Sequence, residues 1–191
     1  MKKIYTTLTW ALLALFAVSL TSCDDDDEIA RTLEGTWSGD MYASAYWHDN
    51  YYDASYTEVC FLRDPYRYSS GTGYWVDHYS YSPWGGYDYI ANHINWTVNF
   101  GTITIHFVED GESVDIYDYA LDDSYFTGYI RTYNGVRKQF RLRHVSSPNW
   151  GSYYWGYDDY YYSNGNHLGM EKAKAKAPSV EKPKRIFRER E

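Results

Sequence analysis

The stretch "NHINWTVNFGTITIHF", residues 92–107, decides the fold. Ile94, Trp96 and Val98 recur at every second position, and Ile103, Ile105 and Phe107 do the same in the run that follows. Asn, Thr and His fill the positions between them. A period of two places alternate side chains on opposite faces of a strand, so each run has one buried and one wet face. Asn99-Phe100-Gly101 separates the runs, which is far too short for a crossover connection, so the two strands are antiparallel neighbours.

The same pattern extends in both directions. Runs rich in β-branched and aromatic residues lie at 35–43, 54–62, 71–81, 92–99, 101–109, 112–121, 124–133 and 135–145. In the last of them Phe140 and Leu142 alternate with Arg137, Arg141 and Arg143. Compact turn chemistry joins the later runs at Asp110-Gly111, Asp122-Asp123 and Asn134-Gly135, the last a favoured type I′ hairpin signal because both central residues need positive φ. Short links between consecutive strands give an antiparallel meander. Eight strands with one apolar face close into an up-and-down barrel without exposed edges; an open β-sandwich is the alternative.

Upstream, Lys2 and Lys3 precede an apolar core at residues 8–20, followed by Thr21, Ser22 and Cys23. This is the build of a secretory signal peptide. Its core falls short of the ~20 residues that a bilayer-spanning helix needs. Leu20-Thr21-Ser22-Cys23 resembles the bacterial lipobox, which implies cleavage before Cys23 and acylation of that cysteine; the plain alternative is a signal peptide that happens to contain a cysteine. One acyl chain holds a protein marginally and several hold it firmly. Asp24, Asp25, Asp26 and Asp27 follow at once. In many bacteria an aspartate here signals inner-membrane retention, whereas an acidic run resembles the export signal of surface lipoproteins in Bacteroidota. Display on the outer membrane surface is the expectation.

The chain divides into a signal peptide (1–22), a lipidated acidic linker (23–32), a barrel domain (33–148), a Tyr/Trp-rich segment (149–169) and a basic tail (170–191) that is expected to be disordered. Residues 1–22 carry +2 and residues 170–191 carry +4, so the body between them holds −14 of a chain whose net charge is −8. Such a body repels nucleic acid. Cys60, with Cys23 acylated, has no partner for a disulfide, and in "TEVCFL" it reads as a small core residue.

"LEGTWSGDMY", "GTGYWVDHYS", "NHINWTVNFGTITIHF", "DYALDDSYFTGYI" and "FRLRHV" together resemble the uncharacterised lipocalin-like lipoproteins of Bacteroidota over residues 33–146. The resemblance implies a lipocalin-like barrel and surface display. It supplies no catalytic residues.

Six histidines, at 48, 78, 93, 106, 144 and 167, lack the paired spacing of a zinc site. Carboxylates are abundant, but nothing selects a pair suited to glycoside hydrolysis. Nucleophile-elbow, phosphate-loop and dinucleotide motifs are missing from the sequence. The reading is a non-enzyme without cofactor or metal.

Aromatic residues make up 20% of the chain, and much of this content lies outside the alternating runs, in "YWHDNYYD" (46–53), "YSPWGGYDY" (81–89) and "NWGSYYWGYDDYYYSNGN" (149–166). Rings mixed with Asp, Asn, Gly and Ser offer flat apolar faces beside hydrogen-bonding groups. Sugars present the complementary surface. Glycan binding is therefore the leading expectation, with Trp47, Trp84, Trp150 and Trp155 as stacking residues. The plainer alternative is that these loops pack across the barrel mouth. A cell-surface protein is the second class of partner. The third is a small apolar ligand inside the barrel, lined by Trp37, Ile94, Trp96 and Ile105.

Overall fold

The computed structural model describes residues 25–84, 87–132, 135–156 and 182–188. Cys23 and Asp24 lie outside these residues, as do residues 1–22, where a signal peptide is expected, and most of the basic tail.

Eight antiparallel strands close a barrel: β1 (Gly35–Asp40), β4 (Tyr56–Arg63), β5 (Ser70–His78), β6 (Tyr89–Asn99), β7 (Thr102–Phe107), β8 (Ser113–Leu121), β9 (Tyr125–Thr132) and β10 (Arg137–Val145). Consecutive strands pair throughout, and β1 pairs with both β10 and β4. That double pairing rules out the open sandwich. Each of the eight alternating runs supplies one barrel strand.

The first run ends early for a local reason. Asp40 Oδ1 accepts from the Tyr42 amide at 2.7 Å, and Tyr42 takes a left-handed φ of 55°, so the chain leaves the barrel there. It forms β2 (Ala43–Trp47) and β3 (Asn50–Asp53), a hairpin across one barrel mouth.

The interior is filled by the chain's own side chains. Trp37, Trp75, Trp96, Phe61, Phe107, Phe126, Phe140, Ile94, Ile103 and Ile105 are all buried within it. Its rings meet edge to face, as Phe61 does with Trp96 and Trp75 with Phe107. A bulge in β8 sharpens the packing. Asp118 takes φ 48° and the register shifts between Tyr117 and Ala120, which turns Tyr119 inward against Phe126. Gly128 makes room for it, since a Cβ there would stand 2.6 Å from that of Tyr119.

The two mouths are closed differently. At one, residues 25–33 form a helix, α1, that buries Ala30 and Leu33; Trp37 Nε1 donates to the Leu33 carbonyl at 2.8 Å. Asp26 accepts from the amides of Phe100 (2.9 Å) and Gly101 (2.8 Å) in the β6–β7 turn, so part of the acidic linker is a structural plug. This is the helix end.

The opposite mouth, the cap end, carries β2, β3 and an eleventh strand, β11 (Lys184–Phe187), in the order β11-β2-β3. Disorder was expected over 170–191, and residues 182–188 correct that expectation. The cause is a buried ion pair. Arg185 donates from Nε to Asp77 and from Nη1 to Asp110 at 3.1 Å, while Asp77 also accepts from Thr57 Oγ1 and Trp75 Nε1. The Arg185 guanidinium lies 4.5 Å from the Phe107 ring centroid. Arg188 to Asp53 and Lys184 to Glu112 complete the clamp. Part of the basic tail thus pairs with the acidic body.

Candidate functional site

The outward faces of β4, β5 and β6 carry rings where a solvated barrel wall ordinarily carries charged residues. Strand pairing sets Tyr56 beside His78 and His78 beside Tyr89, and it sets Tyr74 beside His93. After β10 the chain turns back along this wall through a single 3-10 turn, Trp150–Ser152, capped by Asn149 Oδ1 accepting from the Gly151 amide. Residues 150–155 then form an aromatic strap over the wall.

Strap and wall interleave. Tyr74 stacks with Trp150 at 5.0 Å and with Trp155 at 4.9 Å between centroids. Tyr87 stacks with Tyr89 at 5.0 Å and with Tyr154 at 4.9 Å. Tyr153 meets Tyr89 and His78 edge-on. Such ring pairs contribute about 0.5–1.5 kcal/mol each beyond their buried area, so the strap is well seated.

One carboxylate anchors it, and a second is held on the wall beside it. Glu58 Oε2 lies 2.9 Å from His78 Nε2 and accepts from the Tyr153 hydroxyl at 3.1 Å. The His78 hydrogen bond holds the Glu58 carboxyl below the usual carboxylate range, against the upward push of burial. Burial and the neighbouring Glu58 charge push the Tyr153 hydroxyl far up, so it stays a donor. Glu109 Oε1 lies 2.6 Å from His93 Nδ1, and its Oε2 accepts from the His93 amide at 2.8 Å and from Asn92 Nδ2 at 3.3 Å.

Beside the second carboxylate a cleft opens between wall, strap and cap. Its walls include Tyr89, Asn92, Glu109, Asp110, Tyr154 and Lys182. Asn92 is buried, and its Oδ1 has no hydrogen-bond partner among the described residues. An acceptor left in that state costs about 1–3 kcal/mol until a donor reaches it. The cleft encloses only about 50 Å³, less than the ~150 Å³ that holds a benzene ring. A ligand of sugar size would therefore lie across its mouth and reach in with one group.

The four tryptophans singled out above do not converge. Trp150 and Trp155 both stack on Tyr74, and both are half-buried. Trp84 is buried at the cap end, edge-on to Tyr52 and Tyr79, which makes it a core residue on the far side of the cleft. Trp47 is half-buried, packs against the core and stacks on His48 at 3.7 Å. The ring contacts that bring Trp150 and Trp155 together are made with the chain's own aromatics. Tyr74, Tyr89, Asn92, Glu109 and Tyr154 were missed by sequence reasoning. The available signal was alternation itself: in β5 and β6 the outward positions 74, 78, 89 and 93 are all Tyr or His.

Among the described residues no cluster of His, Cys, Asp and Glu could hold a metal ion, and no helix is long and apolar enough to cross a membrane. Cys60 is buried on β4, and burial pushes its thiol up, which leaves it a packing residue. No family model, curated protein or solved structure matches the chain.

Proposed function

We propose that this chain is a lipid-anchored surface lipoprotein acting as a non-enzymatic binding module, and that its ligand is a glycan held on the aromatic strap. A β-barrel with aromatic clusters is compatible with a binding module. The observation that carries the finer reading is the meeting of ring surface and polar groups at the cleft: Tyr89 and Tyr154 stand beside Glu109, Asp110, Lys182 and Asn92, whose Oδ1 has no partner among the described residues. Tyr154 is 40% exposed and offers a face for the C–H side of a sugar. Glu109 and Asp110 offer acceptors for its hydroxyls. The lipobox and the aspartates after it support the address.

The filled barrel interior weighs against a carrier of small apolar ligands, because Trp37, Ile94, Trp96 and Ile105 are packed against one another and their neighbours. A glycan array probed with the mature chain, Cys23 replaced by Ala, tests the proposal. Specific binding that Tyr154→Ala abolishes is the expected result. A folded chain that binds no glycan would move the assignment to a protein partner.

A further inference from the structure

We propose that the helix end of the barrel docks on the lipid bilayer, with Phe100 and Tyr66 seated in the membrane interface. The inference rests on the lipid anchor at Cys23 and is independent of the glycan reading.

Five large exposed hydrophobic residues gather at this end: Leu62, Tyr66, Tyr68, Phe100 and Tyr125. Tyr66 and Phe100 are 89% and 81% exposed. Tyr66 and Tyr68 sit in the β4–β5 loop, Phe100 at the tip of the β6–β7 turn and Tyr125 where β9 begins. Phe100 is the informative case. It occupies a left-handed position, φ 48°, where Asn or Gly has the lower steric cost, and its ring makes no contact that the fold uses. A phenyl group held out from the tip of a tight turn resembles an interfacial anchor more than a folding element.

The anchor's reach fixes what it meets. Asp26 holds the amides of Phe100 and Gly101, and Cys23 precedes Asp26 by three residues. Three residues span at most about 11 Å, so acyl chains on Cys23 would enter the bilayer beside Phe100. The charges select the kind of surface. Asp25, Asp27, Glu28, Glu34, Asp64, Asp122 and Asp123 outnumber Arg31, Arg63 and Arg67 near this end, so docking proceeds by ring insertion rather than attraction to anionic lipid. Strand β6 then carries the cleft near Asn92 some eight residues away, about 25 Å from the bilayer, facing the medium.

The test uses the full lipidated chain in phosphatidylcholine vesicles, nitroxide-labelled at Phe100→Cys, at Tyr66→Cys or, on the cap end, at Tyr51→Cys. Each label's collisions with oxygen and with a water-soluble nickel chelate are measured, after circular dichroism has shown an unchanged fold. Labels at 100 and 66 should favour oxygen and exclude nickel, while the label at 51 should do the reverse. If the protein floats with vesicles yet position 100 is as open to nickel as position 51, docking is wrong and the anchor stands. A mature N-terminal peptide without acyl mass, from protein that does not float, overturns the anchor and this inference with it.

Discussion

The molecule contains two populations of aromatic side chains, and the same residue types serve different ends in each. Inside the barrel, rings meet mostly edge to face and are fully enclosed, as with Trp75 against Phe107 and Phe126 against Phe140. On the outer wall Tyr74, Trp150, Trp155, Tyr87, Tyr89 and Tyr154 stack face to face and keep carboxylates and histidines between them. The inner set closes a core whose eight strands are already paired. The outer set adds nothing to barrel closure, so its energetics need not be those of folding. Aromatic content by itself therefore says little about function; its side of the wall does.

Substitutions sharpen that contrast. Trp75→Ala removes a large inner ring and should cost about 3–5 kcal/mol of stability in denaturant melts. Arg185→Ala should cost a similar ~3–5 kcal/mol, because it leaves Asp77 buried with its charge unpaired; in the same variant residues 182–188 should become sensitive to protease. Asp26→Ala removes two charge-assisted bonds to the Phe100 and Gly101 amides and should cost about 1.5–3 kcal/mol. A loss confined to the outer variants, with the inner ones neutral, would break the comparison.

Acid should loosen the strap on the outer wall. Glu58 is lowered in the folded state by its hydrogen bond to His78, so the folded chain binds fewer protons there than the unfolded chain. Its contribution is complete above the unfolded value of about 4.3 and is lost as pH falls through the folded value. Near-ultraviolet dichroism of the strap should therefore change as pH falls below about 4.3, and Glu58→Gln should remove that step. Smallest of all, Tyr154→Ala should cost about 0.5–1.5 kcal/mol, the worth of its stack on Tyr87, while removing binding.

Most of the barrel was legible in the sequence. Alternation such as Ile94-Trp96-Val98 is dictated by a half-buried strand, and the short turns left only neighbouring pairings. What was not legible depends on distant partners. Lys184–Phe187 reads as part of a charged tail until Asp77, 108 residues upstream of Arg185, is placed beside it. The helix over 25–33 was hidden because its aspartates also fit an export signal, and one of them grips the β6–β7 turn. The β8 bulge follows from Gly128 and Tyr119 fitting together, which neither residue announces alone. The candidate site was half legible: the Tyr/Trp-rich segment stands out by composition, but its packing against β4–β6 does not, nor does the burial of Trp84 at the cap end, where it lines the cleft.

The most direct test of the central claim is titration calorimetry of the mature chain against the glycan it selects on an array, beside Tyr154→Ala and Trp47→Ala. Weakening of about tenfold or more for Tyr154→Ala, equivalent to ~1.4 kcal/mol, with the affinity of Trp47→Ala close to the parent and both variants folded by circular dichroism, is the outcome expected of a strap-borne site. Unchanged affinity in Tyr154→Ala, or no glycan bound by folded protein, would contradict it.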